Sequence, residues 1–251
     1  MSVLTIAQNI AREVGFTAPT SLVGSADETA IQLLQLITTE TTDLSNGVIS
    51  GQTSPMNFNW QALVKRATFT FVSSQEAYSL PADFKDFIQK TIWNYSIRRP
   101  LISPITAEEF EIQKNYLISS GIDKMIYIYN NQIHVVPAPT STDTINYEYT
   151  TTYIFQSSLG VGQTSIQADT DVCSINEYLV QLGAKVRYLI TKSLINPENF
   201  SASFEYQNYV AAVQRAILKD GFGQKSPISI NSRRNAYWLG ASTQDSNYPA
   251  S

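Results

Sequence analysis

An α+β chain with a helical bundle core, an inserted antiparallel β module and an extended C-terminal tail is what the sequence predicts. Three observations carry that expectation. Apolar residues recur at helical spacing near both ends of the chain, they alternate with polar residues through its middle, and the stretch from Phe222 to Ser251 does neither. The bundle would be built from residues 1–64 and 171–221, the β module from 65–170 and the tail from 222–251.

Ser2 can cap a first helix whose apolar face is Val3, Leu4, Ala7, Ile10, Ala11 and Val14, and Gly15 followed by Pro19 ends it. Ser25 with Glu28 three residues on forms a capping box for a second helix. Ala30, Ile31, Leu33, Leu34, Leu36 and Ile37 give that helix a face wide enough to touch more than one partner element. Residues 41–58, rich in Thr, Ser, Asn and Gly and containing Pro55, read as a long loop, either an interaction element or a plain connection.

Strand periodicity then takes over. Ala67, Phe69 and Phe71 alternate with Thr68 and Thr70, residues 77–80 make a second strand closed by Pro81, and Phe87, Ile88, Ile92, Trp93 and Tyr95 predict another. Thr106 with Glu109 opens a short helix through Phe110 and Tyr116, ending near Gly121. Residues 125–129 and 133–136 flank Asn130-Asn131 as a hairpin, because asparagine tolerates the positive φ of a tight turn. Ile145, Tyr147 and Tyr149 alternate with Asn146, Glu148 and Thr150 as a further strand.

Helical spacing returns with Leu179, Val180, Val186, Leu189, Ile190 and Leu194, behind a capping box of Ser174 and Glu177. Asn196-Pro197 reads as an N-cap and first helical residue for a last helix carrying Phe200, Phe204, Tyr209, Val213, Ala216 and Ile217, which Gly221 stops.

Composition excludes most chemistry. One cysteine, Cys173, rules out an intramolecular disulfide framework and a multi-cysteine zinc site, and one histidine, His134, rules out histidine-rich metal sites. No phosphate-cradling glycine motif occurs, so no nucleotide, metal or other cofactor is expected. His134 falls in an alternating strand and reads as a strand residue rather than a base, and Cys173, ahead of a helix, as a small inert one rather than a low-pKa thiol. Glu108, Glu109 and Glu111 could supply a carboxylate pair for a cell-wall hydrolase, yet their place at a helix start is accounted for by the macrodipole. The tyrosines Tyr127, Tyr129, Tyr147 and Tyr149 could stack on sugars in a glycan- or receptor-binding tail module, or be ordinary strand residues.

No apolar run reaches the ~20 residues that span a bilayer, and the N-terminus lacks a basic signal region, so a soluble protein made in a cytoplasm is expected. Charged residues are only 15%, against roughly 25% in an average soluble protein. A surface of that kind loses little on desolvation, which suits a subunit buried against neighbours and equally a polar monomer. The basic pairs Arg98-Arg99 and Arg233-Arg234 are too short to neutralise many phosphates. The tail places Arg233, Arg234, Tyr237, Trp238 and Leu239 in a segment with no fold of its own. Arginine and large aromatics are enriched at binding hot spots, so docking on another chain is preferred over folding back.

The order of certain short stretches adds a resemblance. Val3-Leu4-Thr5-Ile6-Ala7 and Pro19-Thr20-Ser21-Leu22-Val23-Gly24-Ser25 are followed by Asn59-Trp60-Gln61-Ala62-Leu63 and Ala67-Thr68-Phe69-Thr70. Ala77-Tyr78-Ser79-Leu80-Pro81-Ala82-Asp83-Phe84 and Trp93-Asn94 with Arg98-Arg99-Pro100-Leu101 extend the series. Together they resemble the head-to-tail adaptor proteins of short-tailed phages, the tail tubular protein A type, most densely over residues 1–135. The resemblance implies a non-enzymatic virion protein, assembled in the host cytoplasm and placed at the tail or neck. It also implies a ring of twelve copies beneath the portal protein, with a tail tube or nozzle protein as the other partner. DNA would pass through the ring without specific binding, and no membrane is involved. The residues around Arg233, Arg234, Tyr237, Trp238 and Leu239 would then dock on the portal.

Overall fold

The computed structural model describes residues 1–49, 58–102, 105–115 and 124–224. Helix α1 (Val3–Val14) is capped by Ser2, whose Oγ accepts from the Thr5 N–H at 3.2 Å. It ends at Gly15, which takes a left-handed φ of 90° and donates back to the Ala11 carbonyl at 2.9 Å. Val3, Ile6, Ala7, Ile10 and Ala11 form its buried face.

Helix α2 (Glu28–Ser45) departs from expectation at both ends. Its cap is Asp27, whose carboxylate accepts from the Thr29 N–H, while Ser25 sits two residues upstream and accepts from the Asp27 N–H. It also runs through residues 41–45, which the sequence pattern assigns to the loop. The threonines there remain helical because Thr38, Thr41 and Thr42 donate their hydroxyls to the carbonyls of Leu34, Ile37 and Thr38 within the same helix. The helix end is then held from elsewhere. The Trp60 indole donates to the Leu44 carbonyl at 2.7 Å, and the Lys85 ammonium donates to the Ser45 carbonyl and the Asn46 side chain. Residues 50–57 of the expected loop lie outside the described residues.

Eleven strands follow among the described residues, all paired antiparallel. Strand β1 (Val64–Thr70) pairs along its whole length with β8 (Thr144–Thr151). On the other side of β8 lie β3 (Phe84–Phe87) and β4 (Trp93–Asn94), end to end, where the sequence predicts a single strand, and β5 (Arg99–Pro100) is the outermost strand beyond β4. A second sheet has the order β2-β7-β6, from β2 (Ala77–Ser79), β7 (Gln132–Val136) and β6 (Met125–Tyr129). Its hairpin turns on Asn130 and Asn131 at φ 49° and 58°, as the sequence predicts. Helix α3 (Ala107–Asn115) lies against β6 and β7. Strands β9 (Phe155–Gln156), β10 (Gly162–Gln163) and β11 (Val172–Cys173) make a third sheet, and Ser2 bridges to Val172.

Helix α4 (Glu177–Thr191) is capped by Asn176, not Ser174, whose hydroxyl instead donates to the Tyr153 carbonyl. Helix α5 (Phe204–Gln224) starts later than expected. Asn196 accepts from the Glu198 N–H in a local turn and does not open the helix. Gly221 lies inside α5 rather than stopping it, so the first residues of the expected tail are helical. Positions 225–251 lie outside the described residues.

The expected helical bundle core is corrected by the packing. Buried residues form two clusters. The first joins the buried faces of α1, α2, α4 and α5 to Trp60, Leu63, Ile154, Phe155, Cys173 and Ile175, so strand and loop residues complete a core that helices alone do not close. The second is made within the first two sheets, from residues including Phe71, Tyr78, Ile126, Ile133, Ile145 and Tyr147. The body is therefore α+β and sheet-rich, with helices laid against it. Apolar spacing in a sequence reveals which face of a helix is buried but not what covers it, and here short strands share that task.

Candidate functional site

Glu40, Asp83 and Asp171 are the buried carboxylates among the described residues; Asp171 accepts from the Gln167 and Ala168 N–H groups, and the other two organise side-chain networks. Glu40 on α2 is fully buried, and the Arg187 guanidinium of α4 donates to it through Nε at 2.6 Å. The Tyr209 hydroxyl of α5 donates to the other Glu40 oxygen, and Arg187 also donates to Asp43. One side chain is thus tied to both neighbouring helices. Gly183 faces Glu40 so closely that a Cβ there would collide with the carboxyl group, which explains a glycine inside a helix. Desolvation raises the Glu40 pKa above the ordinary carboxylate value, against the opposing hydrogen bonds from Tyr209 and Arg187.

Asp83 plays the matching part beside the first sheet. It accepts from Lys65 at 2.6 Å, Thr151 at 2.8 Å and Tyr149 at 2.9 Å. Burial pushes its pKa up, but the donors from Lys65, Thr151 and Tyr149 together outweigh burial and leave it lowered. A lowered carboxylate contributes stability that is complete above its unfolded pKa and is lost as pH falls through the folded value. Acid titration of the protein is expected to lower its urea midpoint below roughly pH 4. An Asp83→Asn variant is expected to lose less over the same range. Equal slopes for the two proteins would show that Asp83 does not carry the acid sensitivity. Glu40 has the opposite sign, since its raised pKa costs stability as it ionises with rising pH.

His134 and Cys173 stand apart. His134 lies on β7, edge-on to Phe110 at 6.1 Å between ring centroids, while Cys173 belongs to the other buried cluster. Burial pushes the Cys173 thiol up to about 11, partly offset by the Thr41 hydroxyl 3.6 Å away. Glu108, Glu109 and Glu111 are all exposed on α3. Glu109 is occupied as the return arm of a capping box, accepting from the Thr106 N–H at 2.8 Å while Thr106 accepts from the Glu109 N–H. Among the described residues no three His, Cys, Asp or Glu side chains gather as a metal site.

The four tyrosines divide. Tyr147 and Tyr149 are buried in the sheet cluster, whereas Tyr127 and Tyr129 stack on each other outside it, with ring centroids 6.2 Å apart. The candidate docking residues Arg233, Arg234, Tyr237, Trp238 and Leu239 lie outside the described residues. Sequence reasoning missed Glu40, Asp43, Asp83 and Arg187. Arg187 carried a signal, a cation set between the apolar Val186 and Tyr188 of α4, and Glu40 was obscured by the threonines around it.

Some apolar side chains stay uncovered. Leu159, at 89% exposure, and Val161 stand in the turn between β9 and β10, Phe204, at 79%, opens α5, and Leu194 is exposed after α4. No helix among the described residues is long and apolar enough to cross a membrane.

The chain belongs to the SU10 adaptor protein family, whose model matches residues 1–231. No curated protein matches it. Membership makes it a structural head-to-tail adaptor of a bacteriophage, at the virion neck where portal and tail components meet. The resemblance read from the short stretches is borne out at the level of the family. Arg233, Arg234, Tyr237, Trp238 and Leu239 fall just beyond the matched residues.

Proposed function

We propose that the chain works as one member of a ring of twelve that joins the portal protein to a tail tube or nozzle protein and continues the channel for DNA. Family membership supports the place, and the uncovered side chains of the α4–α5 connection and the β9–β10 turn support lateral contact between copies. The single observation that carries the reading is the match to the SU10 adaptor protein family over residues 1–231. The ring is built as the protein assembles in the host cytoplasm. Its channel is suited to passage because twelve chains at -4 each give roughly -48, and an acidic body repels a polyanion. The C-terminal segment with Arg233, Arg234, Tyr237, Trp238 and Leu239 docks on the portal, where a partner surface offsets the entropy of ordering it.

The test is the mass of the purified protein alone and mixed with its portal. Twelve copies of the 27.9 kDa chain give about 335 kDa, and that species is expected in the presence of the portal. Phe204→Asp is expected to reduce it to single chains without loss of helix content. A chain that stays monomeric beside an intact portal would refute the ring.

A further inference from the structure

The outward face of the first sheet holds a cleft of about 650 Å³. Its floor is set by register. Arg66 lies opposite Glu148 across β1 and β8, Thr68 lies opposite Asn146, and Trp93 of β4 lies beside Asn146. These positions alternate with Ala67, Phe69, Ile145 and Tyr147, whose side chains pack into or against the sheet cluster, so the polar set faces out. Tyr95, 56% exposed, stands at the margin with Trp93 close by in the lining.

Two turns flank β4, and each presents a cation to this cleft. Lys90 has φ 66° and Arg98 has φ 56°, a left-handed backbone that residues other than glycine and asparagine seldom adopt. Both are exposed, and neither takes part in an ion pair among the described residues. Arg66 differs, since Glu148 satisfies it at 2.8 Å. Three cations and one anion line the cleft, in a chain whose formal charge is -4. Neither packing nor a local ion pair accounts for the pair of unmatched cations.

We propose that this cleft binds an acidic peptide segment bearing aromatic side chains. Lys90 and Arg98 meet its carboxylates, Tyr95 offers a face for its rings, and Asn146, which accepts from Thr68 through Oδ1 at 2.8 Å, has an amide NH₂ to donate to the peptide backbone. Nucleic acid fits less well. The cations are few beside the six to ten or so phosphate contacts that give a protein its salt-sensitive grip, and Glu148 sits among them. In the adaptor reading the segment belongs to a neighbouring virion component, but its capture does not require a ring.

The probe is a fluorescein-labelled peptide of alternating glutamate and tyrosine, titrated with the full chain and followed by anisotropy. It is expected to bind, and a serine–tyrosine peptide is expected to bind at least about tenfold more weakly. A Lys90→Asn, Arg98→Asn double variant removes both charges with a residue that accepts the left-handed backbone, so the fold should survive. It is expected to weaken the acidic peptide at least about tenfold and to leave the far-ultraviolet spectrum unchanged. Tyr95→Ala is expected to weaken binding as well, without disturbing the sheet. The proposal is overturned if the acidic peptide does not bind. It is equally overturned if the double variant binds within about twofold of the parent, or if a single-stranded oligonucleotide of equal charge binds more tightly through the same two cations. Because the readout is peptide binding by single chains or assemblies alike, its failure is distinct from failure of the ring.

Discussion

Arg187→Ala is expected to cost about 3–5 kcal/mol of folding stability. The substitution leaves Glu40 fully buried without its cation, with only the Tyr209 hydroxyl to offset it. Asp43 loses the same partner but is partly exposed and can turn to water. The size of the effect comes from the stranded carboxylate rather than from the net worth of the pair. Exchanging both partners for apolar residues, Arg187→Leu with Glu40→Leu, is therefore expected to recover most of the loss. Denaturant midpoints of the parent, both single variants and the double variant measure this directly. A cost below about 1 kcal/mol for Arg187→Ala would mean that Glu40 is neutral in the fold and needs no cation. Its raised pKa makes that comparison sharper as pH rises and the carboxyl group is driven to ionise.

Deleting residues 225–251 is expected to abolish attachment to the portal while leaving the body folded. The described core ends before this segment, so the two buried clusters and both carboxylate networks remain intact. Within the segment, Tyr237→Ala and Trp238→Ala are each expected to weaken portal binding by about 2 kcal/mol, some thirtyfold, as hot-spot aromatics do. Co-sedimentation of purified portal with the parent, the deletion and the two point variants separates the contributions. Full attachment by the shortened chain would transfer the portal contact to the described body.

Local chemistry makes much of this fold legible in the sequence. The Ser2 and Gly15 limits of α1, the Asn130-Asn131 turn and the alternation through Ile145, Tyr147 and Tyr149 all follow from rules that act within a few residues. The boundaries that differ share one cause. At Ser25, Ser174 and Asn196 a good capping residue stands near a helix start without capping it, because packing decides where the first turn begins. The threonines of α2 escape their usual preference for loops because their hydroxyls bond back along a helix whose other face is buried. The helical bundle core is the larger departure. Phe155, Cys173 and Trp60 come from segments too short or too isolated to show periodicity, yet they fill the space between helices. The ion networks are illegible for a related reason, since Glu40 and Arg187 are 147 residues apart and nothing local couples them.

The outermost strand of the first sheet ends in Arg99 and Pro100. A proline there has no amide hydrogen to offer an approaching chain, and the arginine beside it would have to be stripped of water. When many copies crowd together at a capsid vertex, an open row of backbone groups would invite them to zip strand to strand into fibres. Blunting that row closes one edge of the sheet to strand pairing and leaves β1 as the other edge.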